Sequence, residues 1–71
     1  MAKQKHLPLQ FVAWANIEKW RILRNVSAEQ IAGILGVKKL ADRRATGFLT
    51  MEEADRICMY LDIEPEKLFE R

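Results

Sequence analysis

The chain has 71 residues, of which 49% are hydrophobic and 31% charged, with one cysteine and a formal net charge of +2. One cysteine cannot form an internal disulfide, and Cys58 with His6 cannot supply the four ligands of a structural zinc site. No segment approaches the ~20 apolar residues of a membrane span, and no apolar core follows the basic N-terminus, so we expect no span and no export signal. The composition predicts a single cytoplasmic domain, residues 1–71, with residues 1–7 as a flexible arm and without metal or cofactor.

The small net charge hides an uneven distribution along the chain. Residues 1–25 have a balance of +4, residues 26–47 a balance of +2 and residues 48–71 a balance of −4. Residues 38–44 alone carry four basic side chains and one acidic one. Such a cluster is typical of a domain with a polyanionic partner, and a solvated helix face is the alternative interpretation.

Helical patterns follow one another at short intervals, and strand patterns are nearly absent. We predict a first helix over residues 8–24, opened by Pro8, and a short second helix over residues 28–35. Ser27 and Gln30 form a predicted capping box before the second helix, and Gly36 is expected to end it.

The remaining helices are predicted from the same kinds of signal. The third helix is expected over residues 38–46, before Gly47, and carries the basic cluster. A second capping box, Thr50 with Glu53, precedes a fourth helix over residues 51–61, in which Cys58 faces the core as a plain thiol. Pro65 opens a last turn that extends to Phe69. The sequence therefore predicts a compact all-α domain of five helices.

The segment from Ser27 to Gly47 has the layout of a helix-turn-helix: a capped helix, a glycine turn and a second helix rich in Lys and Arg. With it, the chain resembles the helix-turn-helix regulators of the phage-repressor and Cro type (XRE-like) over residues 17–69. The residues that carry the resemblance are Ile17, Trp20, Arg21, Val26, Ser27, Ile31, Ala32, Leu35, Gly36, Val37, Gly47, Thr50, Met51, Glu52, Ile57, Leu61, Ile63, Leu68 and Phe69. The resemblance implies a lambda-repressor-like DNA-binding domain that binds a double-stranded operator as a dimer and regulates transcription.

The third helix departs from the family pattern, because the spacing from Gly36 to Gly47 is one residue shorter. Ungapped counting places Asp42 where the family has a buried apolar residue, and an unpaired buried Asp would cost several kcal/mol. We therefore expect Ala41 and Ala45 to face inward with Val37 and Phe48. The side chains then expected to face DNA are Lys38, Lys39, Asp42, Arg43 and Thr46, with Arg44 at the flank.

Each residue of this surface has an expected role. Arg43 and Lys39 are the candidates for guanine base edges, since Arg and Lys pair with guanine O6 and N7. Lys38 and Arg44 are expected to hold phosphates. Asp42 either accepts from a cytosine amino group, pairs with Arg43, or weakens binding as an acid that faces DNA. The family pairs the arginine at Arg21 with an acid at the position of Ala45, so this pairing is lost or reassigned here.

The first helix also has a second apolar stripe, formed by Phe11, Ala15 and Ile22, with Val12 and Leu23 beside it. Either the N-terminal arm and Leu68 with Phe69 cover this stripe, or it is a protein interface. As an interface it would serve a homodimer, or a heterodimer with a cognate repressor in which this chain acts as a modulator or antirepressor. No constellation of catalytic residues is present, so we expect neither an enzyme nor a small-molecule substrate.

Overall fold

The computed structural model describes residues 8–70, so the predicted N-terminal arm, residues 1–7, lies outside the described part. These residues form five helices: α1 Leu9–Leu23, α2 Ala28–Leu35, α3 Leu40–Ala45, α4 Met51–Leu61 and α5 Pro65–Leu68. No strand occurs between residues 8 and 70, which confirms the all-α prediction. The predicted bounds of α2 and α4 agree residue for residue, whereas α3 begins two residues later than expected.

Both predicted capping boxes are present. The Ser27 Oγ accepts from the Gln30 N–H at 3.1 Å, and the Gln30 Oε1 accepts from the Ser27 N–H at 2.8 Å. Thr50 and Glu53 make the same reciprocal pair, both at 3.0 Å. Each box satisfies two backbone donors that a helix start leaves unpaired, which is why α2 and α4 begin where the sequence predicts.

The connection from α2 to α3 begins at Gly36, which has a left-handed conformation with φ of 74°. This backbone lets the Val37 N–H donate to the Ala32 carbonyl at 3.0 Å, which closes the last turn of α2. Residues 36–39 then lead into α3. A residue with a Cβ at Gly36 would be strained in this turn.

The hydrophobic core receives side chains from all five helices. The largest fully buried side chains are Ile17, Ile31, Ile57, Leu61 and Leu68. Burial of such a side chain contributes about 1.5–3 kcal/mol. Cys58 is also buried in this cluster, as predicted.

Two polar side chains, one within α1 and one directly after it, hold the C-terminal half of the fold. The buried Asn16 Nδ2 donates to the carbonyls of Leu68 at 2.7 Å and Glu70 at 2.8 Å, and this ties α5 to α1. Arg24 donates to the carbonyls of Leu61 and Asp62 at 2.9 and 3.2 Å, and its guanidinium lies 5.1 Å from the Trp20 ring centre. A cation at these carbonyls stabilises the C-terminal end of α4.

Candidate nucleic-acid interface

The basic cluster comprises the two residues before α3 and most of α3 itself. Lys38, Lys39, Asp42, Arg44 and Thr46 are all exposed, as the sequence predicts. An open cleft of about 300 Å³ separates the start of α2 from that of α3, with Lys38 and Lys39 on one side and Ala28 and Glu29 on the other. The two lysine side chains therefore lie at a concave part of the surface.

The inward face of α3 differs from the prediction. Leu40 is the buried residue of this helix, whereas Ala41, Ala45 and Phe48 are exposed, so the prediction that these three face inward is wrong. A six-residue helix has room for about one large contact with the core. The leucine side chain fills it better than two methyl groups because burial is favourable in proportion to apolar area.

Arg43 lies against α4 instead of facing outward, so its predicted orientation is wrong. Its Nη2 and Nε donate to Glu53 Oε1 at 2.5 Å and to Oε2 at 3.3 Å, and only 14% and 18% of the two side chains are exposed. The guanidinium also donates to the Thr46 Oγ1 and to the carbonyl of Phe48. The capping box holds the Glu53 carboxylate in place, and this fixed acceptor draws the guanidinium away from solvent.

A tryptophan completes this arrangement from the side of α1. The buried Trp14 Nε1 donates to the carbonyl of Gly47 at 2.7 Å, and the Arg43 guanidinium lies 5.9 Å from the Trp14 ring centre. Gly47 has φ of 101°, a conformation that glycine adopts without a steric cost. We call Trp14, Arg43, Thr46 and Glu53 the Arg43 cluster; it fixes the C-terminal end of α3 to α1 and α4.

The Arg43 cluster predicts a pH dependence of stability. The hydrogen bond from Arg43 is the main cause that lowers the pKa of Glu53 below its ordinary value of 4.5. A carboxyl group whose pKa is lower in the folded state stabilises the fold above the unfolded pKa and loses this contribution as the pH falls through the folded pKa. We therefore expect the melting temperature to decrease as the pH is lowered below about 4.5. This decrease in melting temperature should be smaller in Glu53→Gln than in the wild type. Equal decreases in circular dichroism melts of the two proteins would contradict this role of Glu53.

Arg21 pairs with groups close to it in the chain. Its Nη2 donates to the Glu18 Oε1 at 2.7 Å and its Nη1 to the Val26 carbonyl at 3.1 Å. Of the two alternatives left by the sequence, reassignment of the pairing is confirmed. Arg21 thereby holds the end of α1 to the segment that precedes α2.

The sequence reasoning missed two residues of the exposed face of α3. Ala41 and Ala45 lie one turn apart on that face, with Asp42 between them in the chain. Their spacing of four residues was visible, but it indicates a shared face and does not say whether that face is buried. The exposed surface of α3 therefore combines small side chains and one acid with Lys38, Lys39 and Arg44 around them.

The second stripe of α1 is open in its central part. Phe11 and Ile22 are 53% and 64% exposed, and Ala15 and Leu23 are exposed as well, whereas Val12 is buried. Val12 is thus not available as an interface residue, because its side chain is buried. Leu68 is buried and Phe69 half-buried, and Phe11 and Ile22 remain exposed beside them, so these two C-terminal residues do not cover the stripe. The N-terminal arm, the other part of that alternative, lies outside the described residues.

No family model, no curated protein and no solved structure matches the chain. Among the helices of residues 8–70, none combines the length and the apolar character required to cross a membrane.

Proposed function

We propose that the protein is a small DNA-binding transcriptional regulator of phage or bacterial origin, of the lambda-repressor-like type. In this proposal α2, the turn at Gly36 and α3 form a helix-turn-helix, and α3 enters the major groove of an operator. A groove about 12 Å wide admits one α-helix. The observation that carries the proposal is the position of Lys38, Lys39 and Arg44, which are exposed around a short helix that the core and the Arg43 cluster hold in place.

The structure changes the division of roles within this proposal. Arg43 positions α3 through Glu53 and no longer has a free guanidinium for a base. Lys39 remains the candidate for a guanine edge, and Lys38 and Arg44 remain the candidates for phosphates. Ala41 and Ala45 suit contacts with thymine methyl groups, and Asp42 suits a cytosine amino group. Two copies on a two-fold operator would place one α3 in each half-site.

The proposal predicts a large effect of the two adjacent lysines on DNA binding. The double variant Lys38→Ala/Lys39→Ala should bind operator DNA at least about tenfold more weakly. Because each phosphate contact contributes about 0.9 to the slope of log K against log salt, the magnitude of this slope should fall by up to about 2. Gel shifts and fluorescence anisotropy on the flanking genomic DNA measure both quantities.

Lys67→Ala is the matched control, since Lys67 is an exposed lysine on α5, on a different part of the fold. It should leave affinity and salt slope close to those of the wild type. A loss of log K in Lys67→Ala half as large as that in the double variant, which is an equal loss per charge removed, would show that only net charge matters and would contradict a specific interface at α3.

A second candidate function rests on the exposed stripe Phe11, Ala15 and Ile22 of α1. Large exposed apolar side chains in one stripe are typical of protein interfaces. In this alternative the chain keeps the fold and acts as a modulator or antirepressor that forms a heterodimer with a cognate repressor. The same gel shift, repeated with the repressor encoded beside this gene, separates the two functions. A regulator shifts the DNA band without the repressor. A modulator binds DNA weakly by itself and removes or alters the band shift that the repressor causes.

A further inference from the structure

A second apolar surface shares no lining residue with the basic cluster or with the stripe of α1. It is an open groove of about 520 Å³ between the start of α1, the segment after α3, the start of α4 and Phe69. Leu9, Phe48 and Met51 line it and are exposed, with Met51 exposed by 79%. A groove of this size and apolar character is typical of a binding site.

The surroundings of the groove are acidic. A smaller depression of about 110 Å³ shares Met51, Ala54 and Phe69 with the groove and has Asp55 on its border. Phe69 is followed by Glu70, and Glu66 lies one turn before it, both exposed. Residues 48–71 as a whole have a charge balance of −4. A basic ligand is therefore attracted to this side of the molecule, and nucleic acid is repelled from it.

We propose that the groove binds an amphipathic helix of a partner protein that carries large apolar side chains on one face and Lys or Arg beside them. Helices bind in apolar grooves through side chains spaced three and four residues apart. The basic flank would meet Asp55, Glu66 and Glu70. A second copy fits less well, because a two-fold pair of these grooves would set Asp55 and its acidic neighbours against themselves.

The test uses a labelled synthetic helical peptide with leucines three and four residues apart and lysines at the other positions, titrated with the full chain in an anisotropy assay. We expect saturable binding that Met51→Glu weakens by about tenfold or more. Glutamate in place of Met51 lies in the first turn of α4, where an acid favours the helix, so this variant should remain folded. Phe48→Ser, at a second exposed residue of the groove, should weaken binding in the same direction.

Met59→Glu is the matched control, because Met59 lies on the same helix, is 74% exposed and is outside the groove. It should bind the peptide like the wild type, and a peptide with glutamates in place of the lysines should bind more weakly. Equal binding by wild type and Met51→Glu, or a preference for the glutamate peptide, would overturn the proposal. Self-association that Met51→Glu removes would overturn it in favour of a second copy, and nuclear Overhauser contacts of residues 1–7 with Met51 in the free monomer would overturn it in favour of the chain's own N-terminus.

The proposal is independent of DNA binding. Loss of peptide binding in Met51→Glu is measured without DNA, and the effect of the lysines at α3 is measured without peptide. Either result can fail while the other stands.

Discussion

Replacement of Arg43 by alanine is expected to lower the free energy of unfolding by about 2–3 kcal/mol, between the values typical of exposed and of fully buried ion pairs. The loss arises because the Glu53 carboxylate would keep its partly buried position without the guanidinium, and the carbonyl of Phe48 would lose its donor as well. Urea denaturation followed by circular dichroism measures this change.

Arg44→Ala is the matched control for Arg43→Ala. Arg44 follows Arg43 in α3, is exposed and forms no ion pair among residues 8–70. Its removal should change the free energy of unfolding by less than about 0.5 kcal/mol. For DNA binding we expect Arg44→Ala to reduce the magnitude of the slope of log K against log salt by about 1, with the free energy of unfolding unchanged. An Arg43→Ala protein as stable as Arg44→Ala would contradict the anchoring role of Arg43.

Replacement of Asn16 by alanine is expected to lower the free energy of unfolding by about 2–4 kcal/mol. The Asn16 amide donates to two backbone carbonyls, those of Leu68 and Glu70, and its removal leaves both without this donor in a largely buried site. Each unsatisfied buried acceptor costs about 1–3 kcal/mol. Since α5 has only four residues, we expect it to detach from α1 before the rest of the fold unfolds.

Hydrogen exchange separates this local effect from a general loss of stability. In Asn16→Ala the amides of α5 should exchange much faster, while those of Ile31 and Ile57 should change only as much as the global stability does. Lys67→Ala, an exposed substitution on α5 itself, should leave the exchange pattern unchanged. If hydrogen exchange became faster to the same extent in all helices of Asn16→Ala, Asn16 would not act on α5 in particular.

The features that the sequence predicts well are decided within a few residues of chain. The capping boxes at Ser27 and Thr50 and the left-handed turn at Gly36 each depend on side chains no more than three residues apart or on the absence of a side chain. The bounds of α2 and α4 follow from these local signals. The order of the five helices follows from the same kind of start and stop signals, taken along the chain.

The features that the sequence predicts poorly depend on contacts between distant parts of the chain. Glu53, the partner of Arg43, lies ten residues away on another helix, and its carboxylate is in place only because the capping box holds it. Helical spacing assigned Ala41 and Ala45 to one face of α3. Which face is buried depends on contacts with the other helices, and these contacts bury Leu40. Val12 was expected beside the exposed stripe and is buried, because α1 has apolar residues on nearly every side and periodicity alone cannot select the buried ones.

In α3 the residues that attach the helix to the fold differ from the residues that form its exposed surface, although the same residues often do both. Leu40 and Arg43 hold the helix in place, whereas Ala41, Asp42 and Ala45 face solvent and contribute little to packing. Substitutions at exposed positions usually change stability by no more than about 0.5 kcal/mol. The exposed positions of α3 are thus open to sequence change at almost no cost in folding, and a chain of this kind can acquire a new binding preference through a few substitutions while its architecture stays the same.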